Sequence, residues 1–166
     1  NPKDEMGRPD QFQGDLLDVE PKAAGRKLNK GVRYLLLYID VFSRKLWGYG
    51  LKTKSKDDIL KWSKKILLVE KPHNITYDRE AGIRSKNMRA FLKHQDIKLW
   101  HPEKKQPNKF KGATSIIERA NRTIRGLITK WKVTYDDKAW IDKLQPLIAN
   151  YNNTVHGAFK NKKSPN

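Results

Sequence analysis

Val32-Arg33-Tyr34-Leu35-Leu36-Leu37-Tyr38-Ile39-Asp40 is almost unbroken in apolar and aromatic side chains. A strand that alternated between core and water would not read this way; this one is covered on both faces and belongs inside a layered sheet. Ser43-Arg44-Lys45 then turns the chain, and Leu46 to Leu51 returns as a strand. Its connection is too short for a crossover, so the pairing is antiparallel. Upstream, Gln11 to about Val19 reads as a strand, followed by a basic Gly/Asn turn region from Pro21 to Lys30.

Helices follow. Ser55 caps a helix with Asp57 and Asp58 in its first turn, and Ile59, Trp62, Ile66 and Val69 give its inward spacing up to about Glu70. Ile75 to Asp78 is a short strand. Ser85 opens a second helix with Met88, Phe91 and Leu92 inward, and Ile97 to Trp100 is the last short strand. His101 to Gly112 carries two Pro and four Lys and reads as a mobile basic loop. A long helix is expected from Thr114 to Lys132, and another from Asp137 to Thr154 broken at Pro146. Three strands in a meander, then strands separated by helices, predict a mixed α/β domain whose later strands pair in parallel. Residues 1–10 form a flexible lead-in, 11–156 the core domain and 157–166 a basic tail.

The 166 residues carry 36 Lys plus Arg against 18 Asp plus Glu, a net charge of +18. Such a balance calls for a polyanionic partner, with nucleic acid ahead of a membrane surface. There is no cysteine, which rules out disulfides, thiolate zinc sites and cysteine nucleophiles in this chain. No apolar run approaches the roughly 18 residues of a membrane span. The first residue is Asn rather than Met, so a fragment of a longer protein is expected.

Against this charge, three acids stand in distinct settings. Asp15 lies in the first strand, where Asp18 points to the opposite face; local pattern does not choose between them. Asp78 ends a short apolar strand, where ligands gather in open α/β sheets, but a turn or capping Asp reads the same way. Glu118 lies on the polar face of the long helix with Thr114, Asn121, Arg122, Arg125 and Thr129, opposite the stripe Ile117, Ala120, Ile124, Leu127, Ile128 and Trp131. An exposed Glu paired with Arg122 one turn on is the plain alternative.

Taken in order, the segments resemble the catalytic core of retroviral-type integrases, those of Maverick/Polinton transposons and related viral elements above all. The residues that carry it are Phe12-Gln13-Gly14-Asp15-Leu16, Ile39-Asp40-Val41-Phe42-Ser43-Arg44, Leu51-Lys52-Thr53-Lys54-Ser55, Tyr77-Asp78-Arg79, Ile117-Glu118-Arg119-Ala120-Asn121-Arg122-Thr123 and Tyr151-Asn152-Asn153-Thr154-Val155-His156. The resemblance implies an RNase H-like fold, a five-stranded mixed sheet flanked by helices. It makes Asp15, Asp78 and Glu118 the catalytic acids, with 39 residues between the last two. Asp18 matches no catalytic position, and Asp40 matches a turn residue. Around the second acid this chain departs from the family: Glu80 replaces a glycine, and Ile83 replaces an aromatic anchor.

What the family does is then the expectation: a metal-dependent polynucleotidyl transferase that processes the 3′ ends of element or viral DNA and joins them to target DNA. The three acids would hold two Mg²⁺ or Mn²⁺ ions, about 3.5–4 Å apart with Asp15 bridging, oxygen being the right donor for these hard ions. Asn121, Arg122 and Arg125 match helix positions that contact DNA, and Lys104, Lys105, Lys109 and Lys111 on the loop could follow a phosphate backbone. A homodimer or higher homo-oligomer follows by resemblance, as does a place in the host-cell nucleus or a viral particle. Two other readings share the residues: an RNase H-fold nuclease or transposase that cleaves without joining, and a silent DNA-binding module descended from an integrase.

Overall fold

Alternation along the fully covered strand organises the molecule. In the computed structural model, which describes residues 10–77, 81–100 and 115–154 (side chains at 81 and 82 excepted), β1 (Gln11–Asp18) and β2 (Tyr34–Asp40) run antiparallel. From β2, Tyr34, Leu36 and Tyr38 enter one core and Leu35, Leu37 and Ile39 enter another on the opposite face. β3 (Leu46–Leu51) pairs antiparallel with β2. β4 (Asn74–Tyr77) lies parallel to β1, and β5 (Lys98–Trp100) parallel to β4. The order β3-β2-β1-β4-β5 is the expected five-stranded mixed sheet, with β1 at its centre.

One face is covered by α2 (Lys56–Glu70) and α3 (Lys86–His94), the other by α4 (Ser115–Thr134) and α5 (Leu144–Asn153). Ser55 Oγ accepts the Asp58 amide at 3.1 Å, and Ser85 Oγ accepts that of Met88 at 3.2 Å, so both expected N-caps form. Ile83, the family's aromatic position, is buried in the α2/α3 core. Among the described residues, no helix is long and apolar enough to cross a membrane.

Three local expectations are corrected. The turn region from Pro21 to Lys30 contains a short helix, α1 (Ala23–Leu28). It is held by Asn29, fully buried, whose side-chain amide donates to the Gly25 and Lys138 carbonyls and whose oxygen accepts the Ile141 amide. On α2 the inward positions are Ile59, Ser63, Ile66 and Leu67, and Val69 is 74% exposed. Ser63 can face the core because its hydroxyl bonds that of Tyr38 at 2.6 Å. The last helix is interrupted before Pro146, not at it: a 3₁₀ turn at Ile141–Lys143 leads into α5. Pro146 then lies in the first turn of α5, where the missing N–H has no intrahelical acceptor to serve.

Candidate active site

β1 presents Gln13, Asp15 and Leu17 to the α4/α5 face, by strand alternation. Leu17 is ordinary core; two polar residues in line with it need partners, and α4 supplies them. Gln13 Oε1 accepts the Ile117 amide at 2.9 Å, a group of the helix's first turn that has no intrahelical acceptor. Asn121, one turn on, donates from Nδ2 to Asp15 Oδ2 at 2.5 Å. Asp15 Oδ1 accepts the Leu16 amide at 2.8 Å. Two side chains of β1 therefore grip two successive turns of α4. Glu118 lies between the gripped residues in sequence and about 60° round the helix from Asn121; it is exposed, and Asp15 is half-buried.

Helical spacing puts Asn121 on the polar face with Glu118; the structure turns it inward, 7% exposed. Its Oδ1 is buried and has no hydrogen-bond partner among the described residues. Arg122 and Arg125 are exposed, continuing along the helix from Glu118. Gln13, which the sequence marks only as part of a motif, proves to be the residue that seats α4. The available signal was its position, two residues before Asp15 on the same strand face. A second feature not foreseen is a cation pair, Arg44 and Arg119, beside Tyr151 of α5. Burial lowers the Arg44 pKa and raises that of Tyr151, and the neighbouring guanidinium groups partly offset the latter.

Asp78 follows Tyr77, the last residue of β4, and Tyr77 pairs with Gly14, the neighbour of Asp15. The approach is close: a Cβ on Gly14 would lie 2.2 Å from Tyr77 Cε1. Asp78 itself lies outside the described residues, as do Glu80 and the four loop lysines, Lys104, Lys105, Lys109 and Lys111. Among the described residues there is no cluster of three or more His, Cys, Asp or Glu. The other acids are committed elsewhere. Asp18 pairs with Arg33 at 2.9 Å, and Asp40 accepts from the Phe42 amide and the Ser43 hydroxyl as a turn residue.

Two solved structures of the HTLV-2 integrase catalytic core domain in complex with magnesium superpose on this chain. The dimeric form has a TM-score of 0.71 at 18% identity, covering 95% of this chain and 94% of that one; the trimeric form has 0.73 at 17%, covering 96% and 95%. This chain has the fold of a retroviral integrase catalytic core. A third structure, the intasome of simian T-cell lymphotropic virus in complex with the PP2A regulatory subunit B56 gamma, matches with a TM-score of 0.76 at 15% identity over 96% of this chain and 54% of that one. In sequence, an uncharacterised transposon-derived protein of Caenorhabditis elegans is 26% identical over 133 residues, 79% of this chain and 44% of that protein. The chain thus spans about half the length of these two relatives. No protein-family model matches it. Within the integrase-core fold, Asp15 lies on the central strand and Glu118 on the helix packed against it.

Proposed function

We propose that this chain is the catalytic core of a DNA integrase, a metal-dependent polynucleotidyl transferase that trims the 3′ ends of element or viral DNA and joins them to target DNA. The observation that carries the proposal is the double grip of β1 on α4, which packs the strand that bears Asp15 against the helix that bears Glu118. The donor set fits Mg²⁺ or Mn²⁺: the side chains at the site offer oxygen, and there is no thiolate in the chain. Asp15, Glu118 and, as the third acid, Asp78 would hold the ions.

Such ions, when bound, lower the pKa of an attacking water or DNA 3′-hydroxyl and stabilise charge on the scissile phosphate. The chain's own part is orientation. Hydrogen bonds from Leu16 and Asn121 fix the Asp15 carboxylate plane before any ligand arrives, and such preorganisation is what makes fixed charges effective. Arg122 and Arg125 extend from Glu118 along one side of α4 and would clamp DNA phosphates, with the loop lysines continuing that track. The magnesium-bound neighbours and their dimeric and trimeric forms support a metal-dependent homo-oligomer; that it acts on double-stranded DNA, in a host nucleus or a viral particle, is part of the proposal.

The test uses a branched DNA that mimics the joined product, incubated with Mn²⁺ or Mg²⁺ and either the wild type or Glu118→Gln. The wild type should resolve the branch and the variant should not, while both bind DNA equally in EDTA. Resolution by Glu118→Gln at the wild-type rate, or none by a folded, DNA-binding wild type, would overturn the assignment.

A further inference from the structure

In the interior of a helix glycine is less favourable than every residue but proline, so its presence there calls for a reason. Other described glycines have theirs in the fold. At Gly14, Gly25, Gly48 and Gly50 an atom of the chain stands within 3.0 Å of where a Cβ would be, and Gly31 has a φ of 79°, which a side chain resists. Gly126 has neither reason. It lies inside α4 without a positive φ, and among the described residues no other part of the chain comes within 4 Å of a Cβ built there.

The surroundings of Gly126 supply a different reason. It is exposed, on the side of α4 opposite the buried Ile117, Ala120, Ile124 and Ile128. Arg122 stands one turn before it, about 40° round the helix, Lys130 one turn after, and Arg125 next to it in sequence; Arg119 lies a turn further back, and all four are exposed. None of the four pairs with a carboxylate among the described residues, and Glu118 is the one acid of α4. The helix therefore has a gap in its side-chain cover, rimmed by cations. A partner lying in that gap meets backbone directly. A second copy presenting the same ridge would bring like charges together, whereas a polyanion is drawn to it.

We propose that Gly126 is the point of closest approach between α4 and a bound DNA duplex. The sugar-phosphate backbone rests against the bare helix there, and the guanidinium groups of Arg122 and Arg125 reach phosphates beside it. The inference rests on the reading of this chain as a protein that acts on DNA and adds to it the one uncharged residue that sets how near the duplex lies.

The experiment pairs thermal melting with affinity for a labelled duplex in EDTA, so that no metal takes part, for the wild type, Gly126→Ala, Gly126→Gln and Arg122→Gln. Both glycine variants should melt above the wild type, since alanine and glutamine favour the helix. Yet Gly126→Gln should bind DNA about tenfold more weakly, the equivalent of one lost charge-assisted contact, and Gly126→Ala should fall between it and the wild type. Gain of stability with loss of affinity is the signature, because neither substitution removes a charge. Unchanged affinity in both glycine variants, with Arg122→Gln weakened, would overturn the proposal and leave DNA binding along α4 standing. A folded wild type that binds no duplex would overturn both. A lowered melting temperature would mean that the fold itself needs the glycine, and lost self-association in sedimentation at unchanged DNA affinity would make the gap a seat for a second copy; either result overturns the proposal.

Discussion

Asn121 shows how much one hydrogen bond can decide at the residue scale. It is buried, donates to the Asp15 carboxylate, and its own oxygen has no partner among the described residues. In the proposed function Asp15 holds a metal ion, and losing a residue that orients such a carboxylate typically costs about 10–100-fold in metal affinity or activity. Asn121→Ala should therefore reduce branch resolution by about that factor and raise the Mn²⁺ concentration needed for half-maximal rate. The melting temperature should stay close to that of the wild type, because the core packing of Ile117, Ile124 and Ile128 remains. A variant with unchanged metal dependence would show that Asp15 is positioned without it. Gly14 illustrates a different constraint: Tyr77 fills the space a side chain would need, so only glycine lets β4 end beside Asp15.

Elements are joined by side chains that reach across them. Asn152 of α5 accepts the Leu46 amide at 2.8 Å and donates to the Leu46 carbonyl at 2.9 Å, while Gln145 donates to the Gly48 carbonyl at 2.8 Å. These are outward-facing groups of β3, the edge strand, and an open edge invites pairing with another chain. The helix thereby closes one end of the sheet. Asn152→Leu keeps the side-chain branching but leaves two buried backbone groups unsatisfied, at about 1–3 kcal/mol each. Urea denaturation should register that loss, and aggregation on partial unfolding should increase. At the far end of β1, Glu20 works similarly, accepting from Lys132 of α4 at 2.5 Å and the Trp140 indole at 2.7 Å. Glu20 Oε2 also lies 2.0 Å from where a Cβ of Gly25 would be, which ties α1 to the same clamp.

For the whole molecule, the two cores respond to pH through buried phenols. Burial pushes the Tyr38 hydroxyl far above its ordinary 10.0, against the opposing effect of its bond with Ser63. Above pH 10 the unfolded chain loses this proton and the native chain keeps it. Stability that is complete below pH 10 is therefore lost as pH rises toward the folded value, by about 1.4 kcal/mol per pH unit. Tyr38→Phe should lower stability at pH 8 by about 1 kcal/mol for the broken hydrogen bond, yet narrow the difference between pH 8 and pH 11 by at least that much. Denaturant titrations at the two pH values measure both. An undiminished alkaline loss in the variant would place its origin elsewhere, Tyr151 being another phenol whose pKa burial raises.

Sequence alone determined the sheet order's ingredients, because hydrophobic period is local: β2 reads as doubly covered, and Ser55 and Ser85 announce their helices. It also determined the net charge on which the nucleic-acid proposal rests, and the motif order that points to Asp15, Asp78 and Glu118. Asp15 and Asp18, alike in local pattern, are separated by packing: one strand face meets α4, and the acid on the other face meets Arg33. The same holds for Asn121, whose helical position fits either face until Asp15 claims its amide. Ser63 and Glu20 turn inward only because Tyr38, Lys132 and Trp140, distant in sequence, supply hydrogen bonds there. Only the tertiary structure decided these, because a polar side chain is buried or exposed according to the partner that meets it, and that partner comes from another part of the chain.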